Sequence, residues 1–307
     1  MMKRFFRLFM VAIVASVVLA GCSKEPKTKA TIGLVVSTLS NPYFSLLRDG
    51  AESEARSLQY KLIVLNSQND SARELSGIKN LIAKGVKVIL VNPNNSTENA
   101  PAVEYANSHG VKIITLDRSV NDGVVDAHIA SDNVKGGKMA AEYIAKKLSG
   151  SGDIVELQGL PNASATLERS EGFADGMKGT GLKLVYKETV NSNRSQAIDA
   201  MEKVMKEYPN VAAVFAQNDE IALGAIHALR KQHKNDVIVV GFDGTQEALM
   251  AVASGKMSAT IAQQPYLMGQ LGVKSAVDLL NGKSVQKEVT VPLTLITKEF
   301  LLDNNSR

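Results

Sequence analysis

The 307-residue chain is longer than one compact core ordinarily uses, so two domains of ordinary size are expected. With 45% hydrophobic and 21% charged residues, its composition is that of a globular protein and excludes a largely disordered chain. The formal charge of +4 comes without a basic tract or an array of base-stacking aromatics, which argues against nucleic-acid binding.

Lys3, Arg4 and Arg7 precede an apolar stretch from Leu8 to Leu19 that is broken only by Ser16, and small residues follow. This is the pattern of an export signal over residues 1–22. At roughly a dozen residues the apolar stretch is too short for a permanent membrane-spanning helix. Leu19-Ala20-Gly21-Cys22 resembles the bacterial lipobox, whose cysteine is acylated and becomes the mature N-terminus; simple secretion with Cys22 incidental is the alternative. Cys22 is the single cysteine, so no intramolecular disulfide can form and the fold must stand on its core. Without Lys3, Arg4 and Arg7 the 35 basic residues fall to 32 against 31 acidic ones, so the mature chain is nearly neutral. Residues Ser23 to Lys29 are polar and contain Pro26, as expected of a tether, residues 23–30, between a membrane anchor and a folded body.

From Thr31 onward, short β-branched runs alternate with amphipathic stretches, the signature of βαβ units on a parallel sheet. The first half predicts strand Thr31–Ser37, helix Pro42–Leu58, strand Tyr60–Leu65, helix Ser71–Lys84, strand Val86–Val91, helix Glu98–Ser108 and strand Lys112–Leu116. The second half predicts helix Val134–Leu148, strand Ile154–Leu157, helix Ala165–Lys178, strand Leu182–Thr189 and helix Gln196–Glu207. Strand Val211–Phe215, helix Ile221–Lys231 and strand Val237–Phe242 complete it. Then come helix Glu247–Ala253, strand Ser258–Ala262, a long helix from Pro265 to Leu280, and a last extended segment Glu288–Thr297.

Two strands end in a polar residue and lead, 25 residues later, to a strand ending in aspartate: Asn92 to Asp117, and Asn218 to Asp243. Open α/β sheets bind ligands beyond the carboxyl ends of their strands. One such set in each half predicts two similar lobes holding one polar ligand between them.

The motifs Val35-Val36-Ser37-Thr38, Asn41-Pro42-Tyr43-Phe44, Leu116-Asp117-Arg118, His128 to Asn133, Phe215-Ala216-Gln217-Asn218-Asp219 and Val240 to Thr245 occur in order at matching intervals. Together they make the chain, from Thr31 to about Glu299, resemble the bacterial ribose-binding proteins of the type I periplasmic-binding-protein class. The resemblance implies an α/β fold of two doubly wound parallel-sheet lobes joined by a three-segment hinge. Residues 31–131 plus 264–291 would form the N-terminal lobe, and residues 132–263 plus 292–307 the C-terminal lobe. It also implies an exported protein without cofactor or metal, acting as a monomer. Such a protein captures a monosaccharide, D-ribose above all, and delivers it to an ABC transporter permease and, in some members, to a chemoreceptor. Sugar contacts fall by resemblance on Asn41, Tyr43, Phe44, Asn92, Asp117, Arg118, Arg169, Asn218, Asp243 and Gln263. Two positions depart from the pattern: Ser192 stands where an aromatic residue is usual, and Tyr43 where phenylalanine is usual. Both bear on which sugar is bound, with allose, another pentose or a furanose-like signal as alternatives.

These residue types suit a polyol. Aspartates accept from hydroxyls, arginines donate, and amides do both. Two aspartates and two arginines leave the cleft without formal charge, and no glycine-rich phosphate loop or surplus cation is present. Duller roles coexist with these: Asn41 before Pro42 reads as a helix N-cap, Asp117–Arg118 as an ion pair, and Arg169 as part of a solvated helix face. Asp132, Asp219 and Glu220 read as helix-start acids, and the four histidines lack metal-ligand spacing. A glycosidase would need one carboxylic acid with a raised pKa, whereas a neighbouring arginine is expected to keep these aspartates ionised. A sugar-responsive repressor would carry a DNA-binding segment where this chain has an export signal.

Overall fold

The computed structural model describes residues 30–305. The export signal, Cys22 and the tether up to Lys29 lie outside them.

The first half runs β1 (Thr31–Val36), α1 (Pro42–Ser57), β2 (Lys61–Asn66), α2 (Ser71–Ala83), β3 (Val88–Val91), α3 (Ala100–Ser108), β4 (Lys112–Leu116) and β5 (Ala127–Ser131). The second half runs α4 (Asn133–Lys147), β6 (Ser151–Gln158), α5 (Ser164–Met177), β7 (Gly181–Thr189), α6 (Arg194–Glu207) and β8 (Ala213–Ala216). It continues through α7 (Asp219–Lys231), β9 (Ile238–Asp243), α8 (Gln246–Ala253) and β10 (Ala259–Ala262). The chain closes with α9 (Pro265–Leu280), β11 (Glu288–Val291), β12 (Thr294–Thr297) and α10 (Lys298–Asn305).

Two six-stranded sheets result, ordered β2-β1-β3-β4-β5-β11 and β7-β6-β8-β9-β10-β12. The two orders are the same, and the pairings within them are parallel except that β12 runs antiparallel to β10. Both faces of each sheet are covered, which is why the central strands read as continuous apolar runs rather than alternating ones. In the first sheet Leu34, Leu90 and Ile114 pack under α1 and α9, while Val35, Ile89 and Ile113 pack under α2 and α3. The second sheet repeats this, with Ile154, Phe215 and Val240 on one face and Val155, Val214 and Val239 on the other.

Glycines set the closest helix contacts. A Cβ on Gly50 of α1 would lie 2.0 Å from the Tyr266 carbonyl oxygen of α9, and one on Gly172 of α5 would lie 1.8 Å from that of Val134 in α4. Backbone meets backbone at both crossings, so no other residue fits without parting the helices.

Three features differ from the sequence expectation. The segment Glu288–Thr297, expected as one extended run that crosses between lobes at 291/292, is two strands, one in each sheet, separated by Pro292 and Leu293. Strand β5 was expected only as part of a crossing near Ala130; Ala-His-Ile-Ala-Ser lacks a β-branched run, and tertiary pairing with β4 and β11 makes the strand. Helix α10 was not anticipated.

Candidate functional site

The carboxyl ends of the two sheets face each other, and the loops leaving them carry the candidate residues. A small cavity of about 20 Å³ is lined from the first half by Asn41, Tyr43, Phe44, Asp117 and Arg118, and from the second by Arg169, Asn218, Asp243 and Gln263. Nine of the ten expected residues therefore converge. The tenth, Asn92, stands behind the wall: its Nδ2 donates to Asp117 Oδ2 at 3.1 Å and to the Leu116 carbonyl at 3.0 Å, and its Oδ1 accepts from Ser37 Oγ at 2.7 Å.

The doubled Asn-to-Asp spacing needs correction by one residue. Val91 pairs with Thr115 in the first sheet, and Phe215 with Val240 in the second, so Asp117 and Asp243 are equivalent but the partner of Asn92 is Gln217. The bonding agrees: Asn92 Oδ1 accepts from the Ser37 N–H after β1, and Gln217 Oε1 accepts from the Gly159 N–H after β6. Asn218 instead caps α7, its Oδ1 accepting from Ile221 N at 2.9 Å, as Asn41 Oδ1 accepts from Tyr43 N at the start of α1. Gln217, Thr166, Gly159 and Ala165 also line the cavity and were not singled out in the sequence. Gln217 was legible as the first residue past a strand end; Thr166 and Ala165 sit in the first turn of α5 and carry no comparable signal.

Both aspartates sit on left-handed backbone, Asp117 at φ +66° and Asp243 at φ +118°. Non-glycine residues held there carry of order 1–3 kcal/mol of strain, which the surrounding structure must hold in place. Each also faces an arginine that lies over an aromatic ring. Arg118 Nε is 3.5 Å from Asp117 Oδ2, with its guanidinium 5.0 Å above Phe44. Arg169 Nη1 is 3.9 Å from Asp243 Oδ1, with its guanidinium 3.7 Å above Phe242. Arg169 is fixed further by donating to Asn133 Oδ1 and the Gln217 carbonyl at 2.8 and 2.6 Å, so it is not on a solvated face. Phe44 and Tyr43 meet edge to face at 5.0 Å.

One chain of contacts ties the two halves at the cavity, and a second set does so beside it, where the Ser96 N–H donates to the Asn162 carbonyl and Ser164 bonds Ser96 and Ser119. The Tyr43 hydroxyl donates to Asp117 Oδ1 at 2.8 Å and lies 3.3 Å from Gln263 Oε1, while Gln263 Nε2 donates to Asp243 Oδ1 at 2.9 Å. Burial, and then the neighbouring Asp117, push the Tyr43 hydroxyl well above its ordinary pKa. Burial also lowers the pKa of Arg118. For Asp243, burial raises the carboxyl above its ordinary range, and Arg169 pulls the other way.

Asp219 is a helix-start acid, as expected, and has a further role. It begins α7, yet its carboxylate turns inward and accepts from the Thr245 N–H at 2.7 Å and from Thr260 Oγ1 at 2.7 Å, bracing the loop after Asp243. Burial lifts its pKa to about 6 against those bonds. Asp132 does cap α4, and Glu220 is paired with Arg194 at 2.9 Å.

Two matching α/β lobes with a polar cleft between them define a class of solute-binding protein, and the comparisons agree. Residues 32–284 match the periplasmic binding protein domain family, and the chain belongs to that family. It is 44% identical over 292 residues to the ribose import binding protein of Bacillus subtilis (strain 168), covering 92% of this chain and 95% of that protein. Among solved structures it is similar to an ABC transporter solute binding protein from Bacillus halodurans C-125 with bound myo-inositol. There the TM-score is 0.86 and the identity 31%, covering 92% of this chain and 99% of that one. It is likewise similar to a periplasmic solute binding protein from Actinobacillus succinogenes 130z with bound D-allose. There the TM-score is 0.84 and the identity 28%, covering 90% of this chain and 100% of that one.

Proposed function

We propose that this protein captures D-ribose between its lobes and delivers it to an ABC importer. The observation that carries this reading is the paired constellation of Asp117 with Arg118 and Asp243 with Arg169, one pair per sheet, in a chain 44% identical to a ribose import binding protein. Two carboxylates and two guanidiniums offer acceptors and donors without net charge, which suits a neutral polyol. Charge-assisted hydrogen bonds contribute about 1.5–3 kcal/mol each, so a handful supports micromolar binding or tighter.

The inner cavity of about 20 Å³ has room for roughly one water, so the sugar enters as the Tyr43–Gln263–Asp243 chain parts and its own hydroxyls replace those contacts. The lobes divide at 131/132, 263/264 and 291/292; sheet membership supports this division, and Gln264 Nε2 donating to the Pro292 carbonyl at 3.2 Å links two of the crossings. Several crossings restrict motion to opening and closing, and the closed form is what a permease reads. The ligand shifts that equilibrium only through contacts it makes in the closed state.

A second reading, another sugar of the same kind, rests on Ser192. The inner cavity shares Asn41, Phe44, Arg118 and Ser192 with an outer space of about 360 Å³, and on this side Ser192 offers a hydroxyl rather than a ring. A thermal-shift panel of monosaccharides on the mature protein decides: D-ribose at 100 times its Kd should stabilise by about 2.7 kcal/mol. No response to D-ribose beside a response to D-allose would replace the first reading with the second.

The chain works by binding without turnover, as a monomer, exported and tethered through an acylated Cys22, and its closed form could also be read by a chemoreceptor. Release of free sugar from ribosides would refute the absence of turnover, and an intact mass lacking the lipid increment on Cys22 would refute the anchor.

A further inference from the structure

Glu74 is fully buried on α2 and is not among the residues lining the binding cavity. Its Oε2 accepts from the Asn94 backbone N–H at 3.3 Å. The carbonyl of that same peptide unit, on Pro93, accepts from Arg118 Nη1 at 3.3 Å. A trans peptide is planar and its N–H and C=O point in opposite directions. One rigid plate therefore has Glu74 at its inner edge and the guanidinium of a cleft arginine at its outer edge.

Arg118 needs this support. Its contact with Asp117 is a single 3.5 Å approach through Nε, and its guanidinium lies over the face of Phe44. Neither fixes the direction of Nη1; the Pro93 carbonyl does. The loop beyond is held at the same place, with Asn99 Nδ2 donating to Asn94 Oδ1 at 2.8 Å and Ser71 Oγ donating to the same oxygen at 3.0 Å. The other Glu74 oxygen, Oε1, has no hydrogen-bond partner among the described residues. Burial pushes the Glu74 carboxyl up to about 8, so at neutral pH it is an uncharged acid that can hold the peptide without adding a second anion beside Asp117. Asp70, Arg73 and Glu98 at this end of α2 are exposed, and Arg118 is the charged group whose field reaches Glu74.

We propose that Glu74 is a positioning residue for sugar binding, acting on Arg118 through the single Pro93–Asn94 peptide. The proposal rests on the reading of Arg118 as a sugar contact. Glu74→Leu removes the acceptor while keeping an apolar side chain of similar reach, and Glu74→Met serves if the leucine variant does not fold. Either is expected to weaken D-ribose about tenfold, mainly through faster release. Glu74→Gln keeps an acceptor for the Asn94 N–H and should bind as the parent does at pH 7. A second readout needs no sugar: the solvent exchange of the Arg118 Nε–H by NMR, assigned by its loss in Arg118→Lys, should accelerate in the apolar variants and not in Glu74→Gln. Unchanged exchange and affinity in the apolar variants, or equal damage from Glu74→Gln, would overturn the proposal. If the parent protein binds no sugar yet Arg118 exchange still responds to Glu74, the ribose reading fails and the positioning role stands.

Discussion

Replacing Asp243 by Asn tests the cleft with little change of shape. The carboxylate is 6% exposed, accepts from Gln263 Nε2 at 2.9 Å and faces Arg169 at 3.9 Å. Asparagine keeps an acceptor for Gln263 and tolerates the φ of +118°. What it loses is a charged acceptor for a sugar hydroxyl, about 1.5–3 kcal/mol, or roughly 10- to 150-fold in Kd. At a D-ribose concentration 100 times the parent Kd, the parent gains about 2.7 kcal/mol. A variant binding 100-fold more weakly gains only about 0.4 kcal/mol at that concentration. At about 2–4 °C per kcal/mol, a shift of several degrees in Tm shrinks to about one. The ligand-free variant should melt at or above the parent, because burial disfavours the charged form of Asp243. Scanning fluorimetry with and without D-ribose measures both. A full ribose shift in the variant would remove Asp243 from the site, and a ligand-free Tm lowered by many degrees would make its role structural.

Ser192→Phe should place a ring between the inner cavity and the outer space, tightening D-ribose several-fold and reducing the response to hexoses in the same panel; an unchanged ranking of sugars refutes this. Glu74 should make stability fall with pH. Its pKa is raised from 4.5 to about 8 on folding, so its stabilisation is complete below about pH 4.5 and is lost as pH rises to about 8. The loss is at most about 1.4 kcal/mol per pH unit. Denaturant midpoints of the parent minus those of Glu74→Gln should decline over that window, and a flat difference contradicts the assignment. Gly172→Ala puts a Cβ 1.8 Å from the Val134 carbonyl oxygen, so α4 and α5 must separate at a cost of about 1–3 kcal/mol. A Tm within one degree of the parent would show that the crossing is looser than a 1.8 Å approach implies.

Most elements were legible because both faces of each sheet are buried, and the apolar runs at Ile32–Val36, Val88–Val91 and Val239–Phe242 leave little choice but strand. The boundaries missed were those that tertiary pairing decides. Strand β5 takes its form from β4 and β11, and the tail splits at Pro292 because two sheets compete for ten residues. At the site, Asp117, Asp243 and the arginines could be read from strand ends and resemblance. The register could not: two amides, Gln217 and Asn218, sit side by side, and only the strand pairing tells which braces β6 and which caps α7. Asp219 was legible as a helix-start acid, but not its inward turn onto the Thr245 N–H and Thr260, which only the tertiary fold supplies.

Helix α9 and strand β11 complete the first lobe, yet they are encoded after all of the second except β12 and α10. Until those last stretches emerge, Leu47, Ala51 and Leu116 have no cover and β5 keeps an open edge. An incoming chain is thus held short of its native state during synthesis and export, and the half made first is among the last to finish folding.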